Sequence, residues 1–127
     1  MVKQLRSMEL SGLLAFGFCM GVLLLIPQPA SATQTEVKII LQGSDPVFDK
    51  PNITIKAGDT VLWTPLTPRK TPHRLLPDSP SDAFVPTHDF FSTTTPPVTQ
   101  TFNSTGVIHY HCFYHPDTMI GTITVTP

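Results

Sequence analysis

An all-β sandwich of seven to eight short strands is the fold this sequence predicts, and three observations predict it. Apolar residues recur with a period of two rather than 3.6 along most of the chain beyond residue 32, as on a half-buried strand. The 127 residues include 14 prolines, set among Thr, Ser, Asn and Gly in clusters that read as turns. No stretch beyond residue 32 shows a helical pattern of convincing length.

The first strand follows from Val37, Ile39 and Leu41 alternating with polar neighbours. Gln42-Gly43-Ser44-Asp45-Pro46 reads as a turn. Ile53 and Ile55 alternate again, Ala57-Gly58-Asp59 turns the chain, and Thr60–Thr64 forms the next strand with Trp63 as a core filler. Residues 65–97 are proline-rich and irregular, with short extended pieces expected at 73–76 and near 89–91. Val98–Phe102 alternates, Asn103–Gly106 turns, and Val107–Cys112 is a strand. Gly121–Val125 closes the pattern with Ile123 and Val125 on one face.

The N-terminal stretch is built differently. Lys3 and Arg6 precede an apolar run from Leu13 to Ile26, followed by Pro27, Pro29 and Ala30-Ser31-Ala32. This order is that of a secretory signal peptide over residues 1–32, with cleavage expected after Ala32 and one domain over 33–127. An uncleaved membrane anchor is the alternative, but the apolar run is short for a span. A formal net charge of −1 and only 13 % charged residues give no basic stripe for nucleic acid. Beyond the signal a single cysteine remains, Cys112. Small exported domains use cysteines in pairs as disulfides, so a lone one calls for another role.

Chemistry concentrates in His109-Tyr110-His111-Cys112-Phe113-Tyr114-His115-Pro116-Asp117-Thr118-Met119. Cys112, His115 and Met119 follow a C-x2-H-x3-M spacing in a connection held between two strands. A second imidazole must come from elsewhere, and His73, after Pro72, is the natural donor. Taken singly, Cys112 and Met119 also suit a buried apolar role. Taken together, two His, one Cys and a weakly bound Met match the ligand set of a blue-copper centre. Thiolate and thioether favour Cu(I) while imidazole suits both oxidation states, so an electron moves with little rearrangement. A filled ligand set leaves no position for a small-molecule substrate. His109 and His111 share the strand face opposite to Cys112 and are expected to point away from the cluster. His88 reads as solvated.

With Lys56-Ala57-Gly58-Asp59-Thr60-Val61 leading to Trp63, then Pro72-His73, Tyr110-His111-Cys112, His115, Met119 and Gly121-Thr122-Ile123-Thr124-Val125, the chain resembles a cupredoxin of the plastocyanin and amicyanin type. The resemblance implies a Greek-key β-sandwich and one copper ion cycling between Cu(I) and Cu(II). It assigns His73 and His115 as imidazole ligands, Cys112 as thiolate and Met119 as axial thioether. It also implies a monomeric one-electron carrier between two redox partner proteins, and not an enzyme. Electrons would leave through an apolar patch at His115, with Phe113, Tyr114 and Pro116 as candidates.

Two departures stand out. Three residues separate His115 from Met119, where plastocyanins generally have four and amicyanins two, which bears on the axial bond. Arg69, Lys70 and Arg74 bracket His73 instead of an acidic patch, and would suit an acidic partner. Periplasm is the expected location, with a thylakoid lumen compatible; the sequons at Asn52 and Asn103 matter only in a eukaryotic secretory route. A copper chaperone or storage protein using similar ligands is the alternative function. A Cys/His nucleophile or a catalytic zinc is disfavoured, the first by the lack of an orienting third group and the second by the closed ligand set.

Overall fold

The computed structural model describes residues 30–65, 71–90 and 96–127. The proposed signal segment up to residue 29, Arg69, Lys70 and Phe91 therefore lie outside the described residues.

Eight strands form two four-stranded sheets. In chain order they are β1 (Gln34–Gln42), β2 (Asp45–Phe48), β3 (Asn52–Lys56), β4 (Thr60–Pro65), β5 (Leu75–Pro77), β6 (Val98–Thr101), β7 (Gly106–Cys112) and β8 (His115–Thr126). One sheet runs β2-β1-β4-β6 and the other β3-β8-β7-β5. Each contains one parallel pair, β1 with β4 and β3 with β8, among antiparallel neighbours. No helix occurs among the described residues. The all-β sandwich expected from the alternating pattern is what forms.

Two local expectations are corrected. Asp45 and Pro46 are not only turn residues: they open β2, which pairs with β1 from Gln42↔Asp45 to Ile39↔Phe48. Proline is tolerated there because β2 is an edge strand, with no neighbour on its far side to receive an N–H. The other correction lies in β8, which starts at His115 rather than Gly121, so the cluster segment is largely strand.

Alternation explains the core. Val37 and Ile39 of β1, Val61 and Trp63 of β4, Ile108 and Tyr110 of β7, and Ile123 and Val125 of β8 are all buried. The centre is aromatic. Trp63 Nε1 donates a 3.1 Å hydrogen bond to the Tyr110 hydroxyl, across the gap between the sheets. Phe84, from the irregular segment, stacks on Tyr110 with ring centroids 5.2 Å apart. Burial pushes the Tyr110 phenol up to about 12, against the lowering effect of the Trp63 hydrogen bond. Gly121 sits opposite Tyr110 in the β7–β8 ladder, and a Cβ placed there would overlap the tyrosine ring. Its small size makes room for the aromatic centre.

The Ala57-Gly58-Asp59 turn is fixed by its own side chain. Asp59 accepts from the backbone N–H of Thr33 at 2.7 Å through Oδ1 and from that of Lys56 at 2.9 Å through Oδ2. Gly58, at φ +98°, supplies a conformation that residues with a Cβ rarely adopt. Asp59 thereby joins β3, β4 and the strand entry before β1.

Candidate metal centre

Three elements bring the sequence cluster and His73 together. β5 pairs with β7 in the register Leu75↔Cys112, so the segment just before β5 runs to the end of β7. His73 lies in that segment and exchanges two backbone hydrogen bonds with Phe90, at 3.0 and 2.9 Å. The Phe113 N–H donates to the Arg74 carbonyl at 2.7 Å, tying the turn after Cys112 to the residue after His73.

Cys112 and His115 face each other across a two-residue turn, Phe113-Tyr114, as the last pair of the ladder. The register then jumps. His111 pairs with Ile120 while Cys112 pairs with His115, so Pro116–Met119 are extra residues on β8 without partners on β7. Without that jump, Met119 would stand directly opposite Cys112. Pro116, Asp117 and Thr118 are exposed, whereas Met119 is fully buried, as are Cys112 and His73. The three-residue spacing between His115 and Met119 is thus taken up as an outward loop that returns Met119 to the core side.

Donor atoms converge. Cys112 Sγ is 3.9 Å from His73 Nδ1 and 3.7 Å from His115 Nδ1. The donor atoms of these three residues all lie within 4.8 Å of one another. Metal–nitrogen and metal–sulfur bonds of about 2.0–2.3 Å, opening at trigonal to tetrahedral angles, hold their donors about 3.6–3.8 Å apart. The observed separations match that spacing. They are long for hydrogen bonds to sulfur.

Burial points the same way. His73 Nε2 is buried with no hydrogen-bond partner among the described residues, and Nδ1 has only the distant sulfur. An unpaired buried polar group costs about 1–3 kcal/mol. A metal on Nδ1 would replace the long contact with sulfur by a bond, while Nε2 stays without a partner among the described residues. Desolvation, helped by the neighbouring His115, lowers the His73 imidazole to about 4. Desolvation also lowers His115, with Asp45 opposing the shift. Both rings are therefore held neutral, the form that ligates a metal.

The rings of His73 and His115 lie 5.3 Å apart and form one wall of a shallow recess with Leu41, Asp45 and Pro46. Outside, Phe113 is 53 % and Tyr114 39 % exposed, and Pro116 is exposed as well, so the three residues expected near His115 do form an outer surface. One arrangement was not foreseen from the sequence. Asp89 accepts from Arg74 Nε at 2.6 Å and from the Tyr114 hydroxyl at 2.9 Å. Arg74 also lies over the Phe113 ring, 5.7 Å from its centroid. Arg74, read as part of a free basic rim, is therefore paired.

The profile described as "Copper binding proteins, plastocyanin/azurin family" matches residues 35–126. The chain belongs to the plastocyanin/azurin family of copper-binding proteins. Among solved structures, this cupredoxin is similar to an oxidised mutant of amicyanin, at 22 % identity and a TM-score of 0.58. That match covers 72 % of this chain and 80 % of that one. The reduced Cu(I) form of another amicyanin mutant matches at 23 % identity and a TM-score of 0.58, covering 78 % of this chain and 87 % of that one. A purple cupredoxin from Nitrosopumilus maritimus matches at 21 % identity and a TM-score of 0.56, covering 72 % of this chain and 98 % of that one. At these identities the structural likeness concerns the fold. Family and donor chemistry together fit a single copper ion in this cupredoxin.

Proposed function

We propose that this protein is a one-electron carrier working outside the cytoplasm, with its copper held by His73, Cys112, His115 and Met119. The triangle of His73 Nδ1, Cys112 Sγ and His115 Nδ1 carries the reading, for it offers two neutral imidazoles and one thiol at metal-ligand spacing. Met119, fully buried and next to Ile120, whose ladder partner His111 precedes Cys112, supplies the fourth, softer donor.

Bound copper supplies a one-electron couple between Cu(I) and Cu(II). The residues contribute rigidity and access. His73 is pinned through its backbone to Phe90, and Cys112 and His115 are pinned as a ladder pair, so donor positions are set by backbone hydrogen bonds. A donor set held in this way changes little between oxidation states, which keeps the reorganisation cost low. His115 is the ligand nearest solvent, and its edge beside Phe113 and Tyr114 is the assigned exit for the electron. Protein partners of opposite redox poise would dock there. The export signal read in residues 1–32 supports a periplasm-like compartment for the working domain, as a monomer.

The test is spectroscopic. Chain supplied with Cu(II) should develop intense visible absorption from a copper–thiolate bond and cycle reversibly by one electron, and Cys112→Ser should abolish the colour. A protein that stays colourless while binding Cu(I) and passing it to an acceptor would instead be a copper chaperone or store.

A further inference from the structure

The outer face of β7, opposite to the copper cluster, carries a second constellation of donors. His109 and His111 project from that face two residues apart, and Asp78 joins them from the end of β5. The Asp78 N–H donates to the His109 carbonyl at 2.9 Å, which fixes Asp78 alongside His109 in the register. His111 Nδ1 nevertheless reaches the Asp78 carboxylate, at 2.5 Å. The His111 ring therefore leans diagonally, back toward the row of His109. His109 Nδ1 lies 3.1 Å from the Thr122 hydroxyl, on the neighbouring position of β8.

The geometry points to a second metal site here, for a borderline divalent ion such as Zn²⁺, Ni²⁺ or Cu²⁺, with the Nε2 atoms of His109 and His111 as ligands. Metal-binding histidines characteristically give their other ring N–H to a carboxylate or another oxygen acceptor, which fixes the tautomer and strengthens the ligating nitrogen. His111 has that arrangement through Asp78, whose ionised carboxylate only accepts, and the Thr122 hydroxyl, which can accept or donate, lies at Nδ1 of His109. Neither Nε2 has a protein partner among the described residues. Each presents its lone pair to an ion in the tautomer that carries the proton on Nδ1, the one a carboxylate at Nδ1 selects for His111. Residues two apart on a strand stand about 6.7 Å apart at Cα. Two imidazoles can close that gap around one ion, with nitrogens at about 2.0–2.1 Å. His109 is exposed and His111 partly so, which leaves room for waters to complete the shell. Asp78 acts as a positioning residue.

Copper-loaded full-length chain titrated with zinc chloride in a calorimeter tests the site. One zinc ion per chain should bind while the visible copper spectrum stays unchanged. His109→Ala should weaken zinc binding by about tenfold or more, and Asp78→Ala by about tenfold, the usual cost of removing a ligand-orienting group. His88→Ala, a histidine on another loop, should leave it unchanged. Zinc binding that survives His109→Ala, or that disappears with His88→Ala, overturns the assignment, as does a copper-loaded chain that takes up no zinc. The inference does not rest on the copper reading: zinc titration of a chain carrying His73→Ala, Cys112→Ser and His115→Ala together examines this site with the other disabled.

Discussion

The Tyr114 hydroxyl donates a 2.9 Å hydrogen bond to Asp89, across 25 positions of sequence. Asp89 holds the Arg74 side chain through its other oxygen. One carboxylate thus joins the turn between Cys112 and His115 to the segment that carries His73. The Arg74 guanidinium, followed by the Tyr114 phenol, holds the Asp89 carboxyl below the usual carboxylate range, so it is ionised whenever the protein is folded near neutrality.

Removing that carboxylate should loosen both loops around the cluster at once. Asp89→Ala is expected to speed copper loss to a chelator and to broaden the spectrum of the bound metal. Tyr114→Phe, which removes one of the two links, should do so to a smaller degree. Stopped-flow transfer to a chromogenic chelator measures both, and equal rates in all three proteins would show that the link does not hold the site.

The Trp63–Tyr110 hydrogen bond is buried between the sheets, where an unmatched partner is costly. Trp63→Phe leaves the Tyr110 hydroxyl unpaired, and Tyr110→Phe leaves the indole N–H unpaired. Each is expected to destabilise by about 1–3 kcal/mol, Trp63→Phe with an added loss of packing volume. The double variant should lose less than the sum of the two, because neither polar group is then stranded. Urea unfolding of the four proteins measures the difference.

Asp59 should make the fold acid-sensitive. Two backbone N–H groups, first that of Thr33 and then that of Lys56, hold its carboxyl below its ordinary value of 3.8. The unfolded chain then binds the proton more readily than the folded one. The contribution is full above about pH 4–5, where both states are ionised, and is lost as pH falls through the folded value. Asp59→Asn should lower stability at neutral pH, since an amide oxygen can accept only on one side, and should flatten its dependence on pH below about 4. Thermal melts across about pH 2–6 compare the two.

Met119 should set the potential without making the colour. On the proposed assignment, colour would come from a copper–thiolate bond to Cys112. A thioether favours Cu(I) relative to harder donors, but putting an apolar side chain in its place leaves the ion with fewer donors, which costs the more highly charged Cu(II) more; Met119→Leu should therefore raise the potential while intense absorption persists. Voltammetry and a visible spectrum of the variant decide this; a colourless Met119→Leu chain would assign Met119 a larger part in holding the metal.

Much of this was readable from residue order. Alternation located β1, β3, β4, β6 and β7 because each has one face on the core, so the period of two is written into the sequence. β2 was hidden because Pro46 at an edge reads locally as a turn. The start of β8 was hidden because Pro116–Met119 break the alternation, and their bulge exists only once Met119 turns inward. The C-x2-H-x3-M spacing pointed to Cys112, His115 and Met119 and the Pro-His pair to His73; the fold brings His73, Cys112 and His115 together and buries Met119. The Arg74–Asp89–Tyr114 link had no local signal. Its members meet only through the β5–β7 pairing, and no spacing rule applies to loops joined in that way.

The place of β8 has a consequence for the order of assembly. It lies between β3 and β7, which otherwise do not pair, and it contributes both His115 and Met119. A chain in which only β3 to β7 have formed still lacks the middle of that sheet, and the long-range β3–β8 pairing forms late. At that stage the β5–β7 pairing can already set His73 beside Cys112, but His115 and Met119 are missing. The three-donor cluster of His73, Cys112 and His115 is therefore complete only once β8 has joined the sheet.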